Sequence, residues 1–128
     1  MDVDKIRSIP LFEGLAEDEL ETCAKWFNEV EMVAGSSLAK QDDYAYKFFV
    51  VLDGQVDIHR DFEFVTTLGP GEIFGETALV KHERRNARVT ARTRCRLACM
   101  MSWDFTAMIE LHPVVAERIE AVVHQREA

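Results

Sequence analysis

The spacing of apolar residues divides the chain into helical ends and a strand-like middle. Near the N-terminus, residues 2–8 predict a short helix that Pro10 ends, because the residue before a proline is pushed out of the helical region. Residues 16–27 predict a longer helix, with apolar positions at helical spacing and acidic residues crowded into its first turns. We expect these carboxylates to form a solvated helix cap and not a metal site.

From about residue 29 to residue 102 the apolar period changes to two, and turn residues recur every eight to twelve positions or so. This pattern is typical of an all-β sandwich or barrel, and Gly35 and Gly54 mark two of its turns. The last strand places Cys95, Leu97, Cys99 and Met101 on one side and Arg96 on the other, which predicts buried cysteines that act as small hydrophobes. The candidate strands are residues 29–33, 37–41, 47–52, 55–60, 63–68, 86–92 and 95–101.

The helical period returns after Ser102. Residues 103–111 predict one short helix, and Pro113 opens another at the first position, where proline is tolerated. The apolar stripe of this last helix consists of Val115, Ile119, Val122 and Val123. A helix of about 14 residues is too short to be stable alone in water, so the stripe must pack on the β domain or on a partner.

Composition is consistent with one domain over residues 1–128, made of N-terminal helices (1–28), a β domain (29–102) and C-terminal helices (103–128). The chain has 128 residues and is 48% hydrophobic, which is enough to form a core and argues against disorder. There is neither a long apolar run nor a signal-like N-terminus, so we expect no membrane contact. Three cysteines without a C-x-x-C pair predict a reducing, cytoplasmic location.

The charge is distributed unevenly along the chain. The net charge of -8 argues against direct DNA binding by this segment. Residues 81–96, however, hold seven basic side chains and one acidic side chain, in an otherwise acidic protein. This basic segment is either a solvated strand face and turn or a pocket for a small anion.

The region around Gly75 contains the residues suited to such a pocket. Its glycines have the wrong spacing for a dinucleotide fingerprint, and no βαβ unit surrounds them. A helical turn begun at Gly75 would leave backbone N–H groups free for an anion, with Glu76 in that turn. Arg85 is predicted to begin the next strand, where a guanidinium could bind phosphate oxygens while the carboxylate accepts a bond from a ribose hydroxyl. Together these groups match a ribose cyclic phosphate.

These residues resemble a known motif. The run Phe74-Gly75-Glu76-x-Ala78-Leu79, followed by Arg85-x-Ala87-x-Val89, resembles the phosphate-binding cassette of cyclic-nucleotide-binding domains. Such domains occur in the bacterial catabolite activator, in kinase regulatory subunits and in cyclic-nucleotide-gated channels. The resemblance extends over nearly the whole chain, through Pro10-Leu11-Phe12-x-x-Leu15, Phe49-x-Val51-x-x-Gly54-x-Val56, Gly69-x-Gly71-Glu72-x-Phe74, and Asp104-Phe105 with Pro113.

The resemblance implies a mainly β fold, an eight-stranded antiparallel β-roll (jelly roll) with flanking helices. It implies that Arg85 and backbone N–H groups near Ala78 and Leu79 hold the cyclic phosphate of a regulatory ligand, cAMP more than cGMP. Glu76 would bind the ribose 2'-hydroxyl, and a C-terminal helix would close over the base. The expected ligand-binding residues, within a cassette spanning residues 74–89, are Gly75, Glu76, Thr77, Ala78, Leu79, Arg85, Asn86 and Ala87.

Three residues depart from the family pattern. Thr77 replaces a usual Leu or Ile, which changes the packing beneath the helical turn and leaves its backbone donors in place. Asn86 stands where members that favour cGMP often have Thr, so nucleotide selectivity stays open. Arg88 stands where Ser or Thr is common, and strand alternation predicts that it faces solvent.

The sequence predicts no catalytic activity, no cofactor and no metal site. Ser102 lies in the last predicted strand, and the four histidines, which we expect at the surface, lack the spacing of a triad or a metal pair. The adjacent carboxylates of Asp42 and Asp43 resemble the turn before the family's third strand and are not by themselves a metal site. The histidines are His59, His82, His112 and His124.

Three functions stay open. In the first, the chain is a cyclic-nucleotide sensor that switches its C-terminal helix. Through that helix it would contact a protein partner or a second copy. Alternatively it is a degenerate fold that serves as an interaction scaffold, with Glu76 and Arg85 joined in a plain ion pair. The third reading is the sensor fragment of a transcription factor, whose helix-turn-helix would follow the long helix.

Overall fold

Helices at both ends of the chain flank the strands of the middle part. The structure is a computed structural model that describes residues 1–127, with side chains as far as Arg126. The elements in chain order are α1 (Val3–Arg7), a 3-10 turn (Pro10–Phe12), α2 (Glu17–Trp26), β1 (Asn28–Met32), β2 (Ser37–Ala39), β3 (Lys47–Asp53), β4 (Val56–Arg60), β5 (Glu63–Leu68), β6 (Ile73–Phe74), α3 (Glu76–Lys81), β7 (Arg88–Ala91), β8 (Cys95–Met101), α4 (Ser102–Leu111) and α5 (Pro113–Glu127).

The strands form two four-stranded antiparallel sheets among the described residues. The first has the order β1-β8-β3-β6 and the second the order β2-β7-β4-β5. The predicted mainly β fold with flanking helices is therefore confirmed. The two-residue strand β6, which is not among the candidate strands predicted from the sequence, completes the first sheet by pairing with β3.

The central strands of the first sheet, β3 and β8, are buried on both faces, so the structure has two cores. In β3, Phe48 and Val50 face a core shared with the helices, while Phe49 and Val51 face a core between the sheets. Successive side chains of a strand point to opposite faces, so a continuous apolar run suits a strand covered on both sides. The core shared with the helices thus lies on one side of the first sheet, and the second sheet lies on the other.

Strand β8 is buried on both faces over most of its length, whereas the sequence predicted burial for the face that carries the cysteines. Cys95, Leu97 and Cys99 lie in the core between the sheets, as predicted. Ala98 and Met100, on the other face, are also buried, against the helices. Met101, predicted to be buried with the cysteines, is only half-buried at the end of the strand.

Helix α5 packs on the rest of the chain. Val115, Ile119 and Val123 are buried in the core shared with the other helices. The guanidinium of Arg118 donates a hydrogen bond of 2.9 Å from Nη1 to the carbonyl oxygen of Leu11 in the 3-10 turn. The choice left open by the sequence is thus resolved in favour of docking on the domain itself.

His112 contradicts the prediction of four surface histidines. It is buried between α4 and α5, with Nδ1 3.2 Å from a carboxylate oxygen of Glu19. Helix packing causes this burial, because α2 brings Glu19 and Trp26 against the junction of the last two helices. His59 is half-buried, whereas the other two histidines are exposed as predicted.

Among the described residues, no helix is long and apolar enough to cross a membrane. No group of three or more His, Cys, Asp or Glu side chains in that part of the chain could hold a metal ion.

Candidate functional site

Gly75 links β6 to α3 in a conformation that requires glycine. Its φ is +87°, in the left-handed region that L side chains rarely adopt. A Cβ atom there would lie 2.6 Å from Nη1 of Arg85 and 3.0 Å from the carbonyl oxygen of Lys47. The absence of a side chain at this position therefore allows the Arg85 guanidinium to approach the backbone.

Arg85 is buried with only 8% of its surface exposed. Its Nη1 donates to the carbonyl oxygen of Gly75 (3.0 Å) and its Nη2 to that of Lys47 (2.5 Å). No carboxylate among the described residues forms a salt bridge with it. Burial lowers the pKa of the guanidinium, and the nearby Glu76 carboxylate opposes that shift.

The prediction that Arg85 begins a strand is wrong, since β7 begins at Arg88. Arg85 instead lies in a loop that pairs with the turn at Asp42 and Asp43. The Arg85 amide donates to the carbonyl of Asp43, and the Asp42 amide donates to the carbonyl of Arg85, both at 2.8 Å. This pairing fixes the backbone from which the guanidinium extends.

Glu76 is completely buried in the first turn of α3. Its Oε1 accepts a hydrogen bond of 2.5 Å from Nη1 of Arg126 and one of 3.3 Å from the hydroxyl of Thr77. Its Oε2 is buried without a hydrogen-bond partner. Glu76 thus pairs with Arg126, and the direct Glu76–Arg85 ion pair considered from the sequence does not form.

Arg126 is the site residue that sequence reasoning missed. It lies near the end of α5, and its Nη2 donates a 2.6 Å hydrogen bond to the carbonyl of Ile73. A signal was present in the helical spacing. Arg126 follows Ile119, Val122 and Val123 by seven, four and three residues, so it continues the buried stripe and must face the domain.

A cavity of about 280 Å³ lies between the second sheet, the start of α3 and the end of α5. Arg60, Arg85 and Arg126 contribute the charged part of its lining, beside Thr66 and Gln125. Much of the remaining wall is apolar and includes Ala39, Ile58, Val65, Leu68, Phe74, Ala78 and Val89.

The eight predicted ligand-binding residues take different places around this cavity. Those that line it are Gly75, Ala78, Arg85, Asn86 and Ala87. Glu76 does not line it and is bonded to Arg126, which does, and Thr77 is buried beside Glu76. Leu79 lines a different cleft. The role of each in binding stays a prediction.

The lining residues, together with Glu76 that is bonded to one of them, define what the cavity can accept chemically. A buried guanidinium held only by carbonyl oxygens retains donors for an anionic group. The free Oε2 of Glu76 can accept a hydrogen bond from a hydroxyl. The apolar wall suits a flat, weakly polar group. A ligand with all three features fits this arrangement.

Comparison with known proteins gives the same family as the cassette motif. The sequence profile of the cyclic nucleotide-binding domain matches residues 29–112. The chain is 29% identical over 126 residues to the cyclic AMP receptor protein of Thermus thermophilus, covering 94% of this chain and 58% of that protein. It is 32% identical over 105 residues to the cAMP-dependent protein kinase regulatory subunit of Schizosaccharomyces pombe, covering 81% of this chain and 26% of the subunit.

The fold agrees with solved structures of that family. The crystal structure of the Thermus thermophilus catabolite activator protein superposes with a TM-score of 0.82 at 30% identity. The superposition covers 91% of this chain and 57% of that one. The chain thus spans little more than half the length of this relative, and the family profile covers the sheets, α3 and α4. On this evidence the chain belongs to the cyclic nucleotide-binding domain family.

Proposed function

We propose that this chain is a sensor module that binds a 3',5'-cyclic purine nucleotide in the cavity between α3 and α5. The observation that carries the proposal is a pair of buried, opposite charges that are not bonded to each other, Arg85 and Glu76. Burying charged groups is costly, and Arg85 has no carboxylate partner among the described residues. Glu76 pairs with Arg126 but keeps one carboxylate oxygen without a hydrogen bond. A buried guanidinium on the cavity wall and a carboxylate bonded to the lining residue Arg126 suit the phosphate and the sugar of such a ligand.

Arg85 is the residue proposed to hold the cyclic phosphate. Its two hydrogen bonds to the Gly75 and Lys47 carbonyls fix the guanidinium without neutralising it. A cyclic phosphodiester carries one negative charge, which would supply the missing counter-ion. A charge-assisted bond to phosphate oxygen is about twice as strong as a neutral hydrogen bond.

Glu76 is the residue proposed to recognise the ribose. A 2'-hydroxyl could donate to its unpartnered Oε2, while Oε1 stays bonded to Arg126. The hydroxyl would satisfy a buried charged acceptor, which is unfavourable when left without a partner.

Helix α5 is proposed to report that the cavity is filled. Arg126 connects its last turns to Glu76 and to the carbonyl of Ile73, and it also lines the cavity. A ligand that contacts Glu76 and the α5 side chains would favour the docked helix, by the difference in its affinity for the docked and undocked states.

The proposed preference for cAMP over cGMP rests on the relatives. The two curated proteins described above are named for cAMP, and they align with 94% and 81% of this chain. In the cavity, Asn86 and Gln125 offer amide groups near the ligand, and amides can donate to either purine.

A scaffold role without a ligand is the second candidate, and one observation favours it. Arg126 already neutralises Glu76, so the fold satisfies much of the site's charge by itself. In that case the roll would serve protein contacts alone.

Calorimetric titration of the folded chain with cAMP, cGMP and 5'-AMP tests the proposal. We expect affinity for cAMP that is micromolar or tighter, weaker affinity for cGMP and little for 5'-AMP, whose open phosphate lacks the ring geometry. If the folded chain shows neither heat of binding nor thermal stabilisation with either cyclic nucleotide, the sensor proposal is contradicted and the scaffold role is favoured.

A further inference from the structure

A second cleft, of about 530 Å³, shares helix α3 with the nucleotide cavity but has different walls. Ala78 lines both sites. The other residues of this cleft come from the loop before β3, from α3 and the loop that follows it, and from the start of α4. They include Tyr44, Tyr46, Leu79, His82, Glu83, Arg84 and Trp103, and we refer to them as the aromatic cleft.

The aromatic cleft exposes large side chains that burial would stabilise. Tyr44, Tyr46 and Trp103 are 65%, 57% and 63% exposed, and the two tyrosine rings lie 6.4 Å apart. Tyrosine, tryptophan and arginine are the residues most enriched among those that dominate protein interfaces. Single exposed apolar residues are ordinary, whereas a contiguous aromatic group around a concave surface marks a contact site.

Arg84 gives the aromatic cleft its chemical selectivity. The guanidinium carbon lies 4.5 Å from the centre of the Tyr44 ring, and Nη2 donates a 2.9 Å hydrogen bond to the Tyr44 hydroxyl. No carboxylate among the described residues forms a salt bridge with Arg84. Stacking on the ring holds the planar fork in place and leaves most of its N–H donors for a carboxylate.

We propose that the aromatic cleft binds a segment of a partner protein in which a large apolar side chain lies next to an Asp or Glu. The apolar side chain would pack between Trp103 and Tyr46, and the carboxylate would accept bonds from Arg84. A nucleic acid fits less well, because Arg84 is the single Lys or Arg among the described residues that line the cleft. One guanidinium suits one carboxylate, whereas a nucleic acid is held by several cations on successive phosphates. This interaction goes beyond nucleotide binding and does not require it.

The test is selection of a random peptide library on the full chain, followed by affinity measurement of the selected peptides as synthetic probes. We expect the enriched peptides to combine Trp, Phe or Leu with Asp or Glu. Their affinity should fall by roughly tenfold or more in Trp103→Ala and in Arg84→Gln. Phe62→Ala is the matched control, because Phe62 is 99% exposed on the β4–β5 turn outside the cleft.

Several results would overturn the proposal. The first is that the wild-type chain enriches no peptides beyond those that Trp103→Ala enriches. The second is that the selected peptides share basic residues instead of acidic ones. The third is that Phe62→Ala weakens peptide binding as much as the cleft variants do. Two others assign the cleft to a different occupant: sedimentation that shows a dimer lost in Trp103→Ala, or a single-stranded oligonucleotide that binds through Trp103. Tyr46→Ala provides a second cleft variant should Trp103→Ala not fold.

Titration of each cleft variant with cAMP separates this proposal from the proposed function. If cAMP binds both the wild type and the cleft variants equally, loss of peptide binding belongs to the aromatic cleft. If cAMP binds none of them, the nucleotide proposal fails while the peptide result still stands.

Discussion

At the scale of single residues, the site depends on two buried charges that the fold keeps apart. Arg85 bonds to backbone carbonyls, and Glu76 bonds to Arg126 from another helix. Carbonyl oxygens hold Arg85 in position without neutralising its charge, whereas Arg126 both holds and neutralises Glu76. A side chain fixed in this way loses little conformational entropy when a ligand binds, which raises affinity.

Replacing Arg85 by Ala should weaken cAMP binding by roughly 2–5 kcal/mol, the cost of truncating one partner of a buried hydrogen-bonded charge pair. Arg88→Ala is the matched control, since Arg88 lies three residues away and is exposed on β7, as strand alternation predicted. Calorimetry on both variants measures the difference. Unchanged cAMP affinity in a folded Arg85→Ala protein would contradict the assignment of Arg85.

Replacing Gly75 by Ala should lower the free energy of unfolding more than Gly35→Ala does. Both glycines have φ of +87°, so the cost of the left-handed conformation, about 1 kcal/mol or more, is common to both. Only at Gly75 would the new Cβ meet other atoms, 2.6 Å from Arg85 Nη1, whereas Gly35 has nothing within 4 Å. Urea denaturation of the two variants gives the comparison, and equal destabilisation would show that Arg85 moves aside freely.

The ribose contact of Glu76 should appear as discrimination between sugars. A 2'-deoxy cyclic nucleotide should bind about 1.5–3 kcal/mol more weakly than the ribonucleotide, the usual value for a hydrogen bond to a charged group. Glu76→Gln should reduce that difference, because the amide forms a weaker bond to the hydroxyl. Competition binding with both ligands measures it. Equal affinities in the wild type would mean that Glu76 serves only to hold Arg126.

At the scale of elements, α5 is joined to the domain in two different ways. Its apolar stripe packs in the core shared with the helices. Its polar contacts are Arg118 to the Leu11 carbonyl and Arg126 to Glu76 and the Ile73 carbonyl. The apolar packing gives most of the stability, and the Arg126 contact is the one that a ligand in the cavity could change.

Amide exchange across residues 113–125 should slow when cAMP is added, because a ligand that favours the docked helix reduces local opening. The control segment is residues 16–27, which lies on α2 away from the cavity and should slow less. Hydrogen-exchange mass spectrometry resolves the two segments.

Replacing Arg126 by Gln tests whether the slower amide exchange in α5 depends on this side chain. The variant should lose most of the ligand-dependent change in residues 113–125, while binding of cAMP through Arg85 persists. If cAMP binds and exchange in α5 does not change even in the wild type, regulation through this helix must be abandoned.

At the scale of the whole molecule, the two cores bury all three cysteines. Cys23 lies on the helix side, and Cys95 and Cys99 lie between the sheets. Burial raises the pKa of each thiol, that of Cys23 to about 11 from an ordinary value of 9.0. The folded chain therefore keeps these protons at pH values where the unfolded chain loses them.

The free energy of unfolding should fall as the pH rises from about 9 to about 11. In that range the unfolded state binds fewer protons at Cys23 than the folded state, so the slope of stability with pH is negative. The stabilisation is complete below pH 9 and is lost as the pH rises through the folded value. Urea denaturation of the wild type and Cys23→Ala checks this, and the variant should show the shallower fall. Parallel curves would contradict it.

The sequence by itself determined the order and type of nearly all elements. Period-two alternation, turn glycines and the return of the helical period are local signals, and they specify local structure. The sequence also predicts a cassette from Gly75 to Ala87 through its resemblance to the family motif, and five of the eight residues named from it line one cavity. The exposure of Arg88 followed from the same alternation.

Only the tertiary structure decided which groups meet. Arg126 and Glu76 are fifty positions apart, and their contact depends on how α5 docks on the roll. The burial of His112 and of the second face of β8 likewise comes from helices packing against them, which no local period records. The physical reason is that alternation shows which side a residue faces, while the neighbour it meets there is set by distant chain segments brought together by core burial.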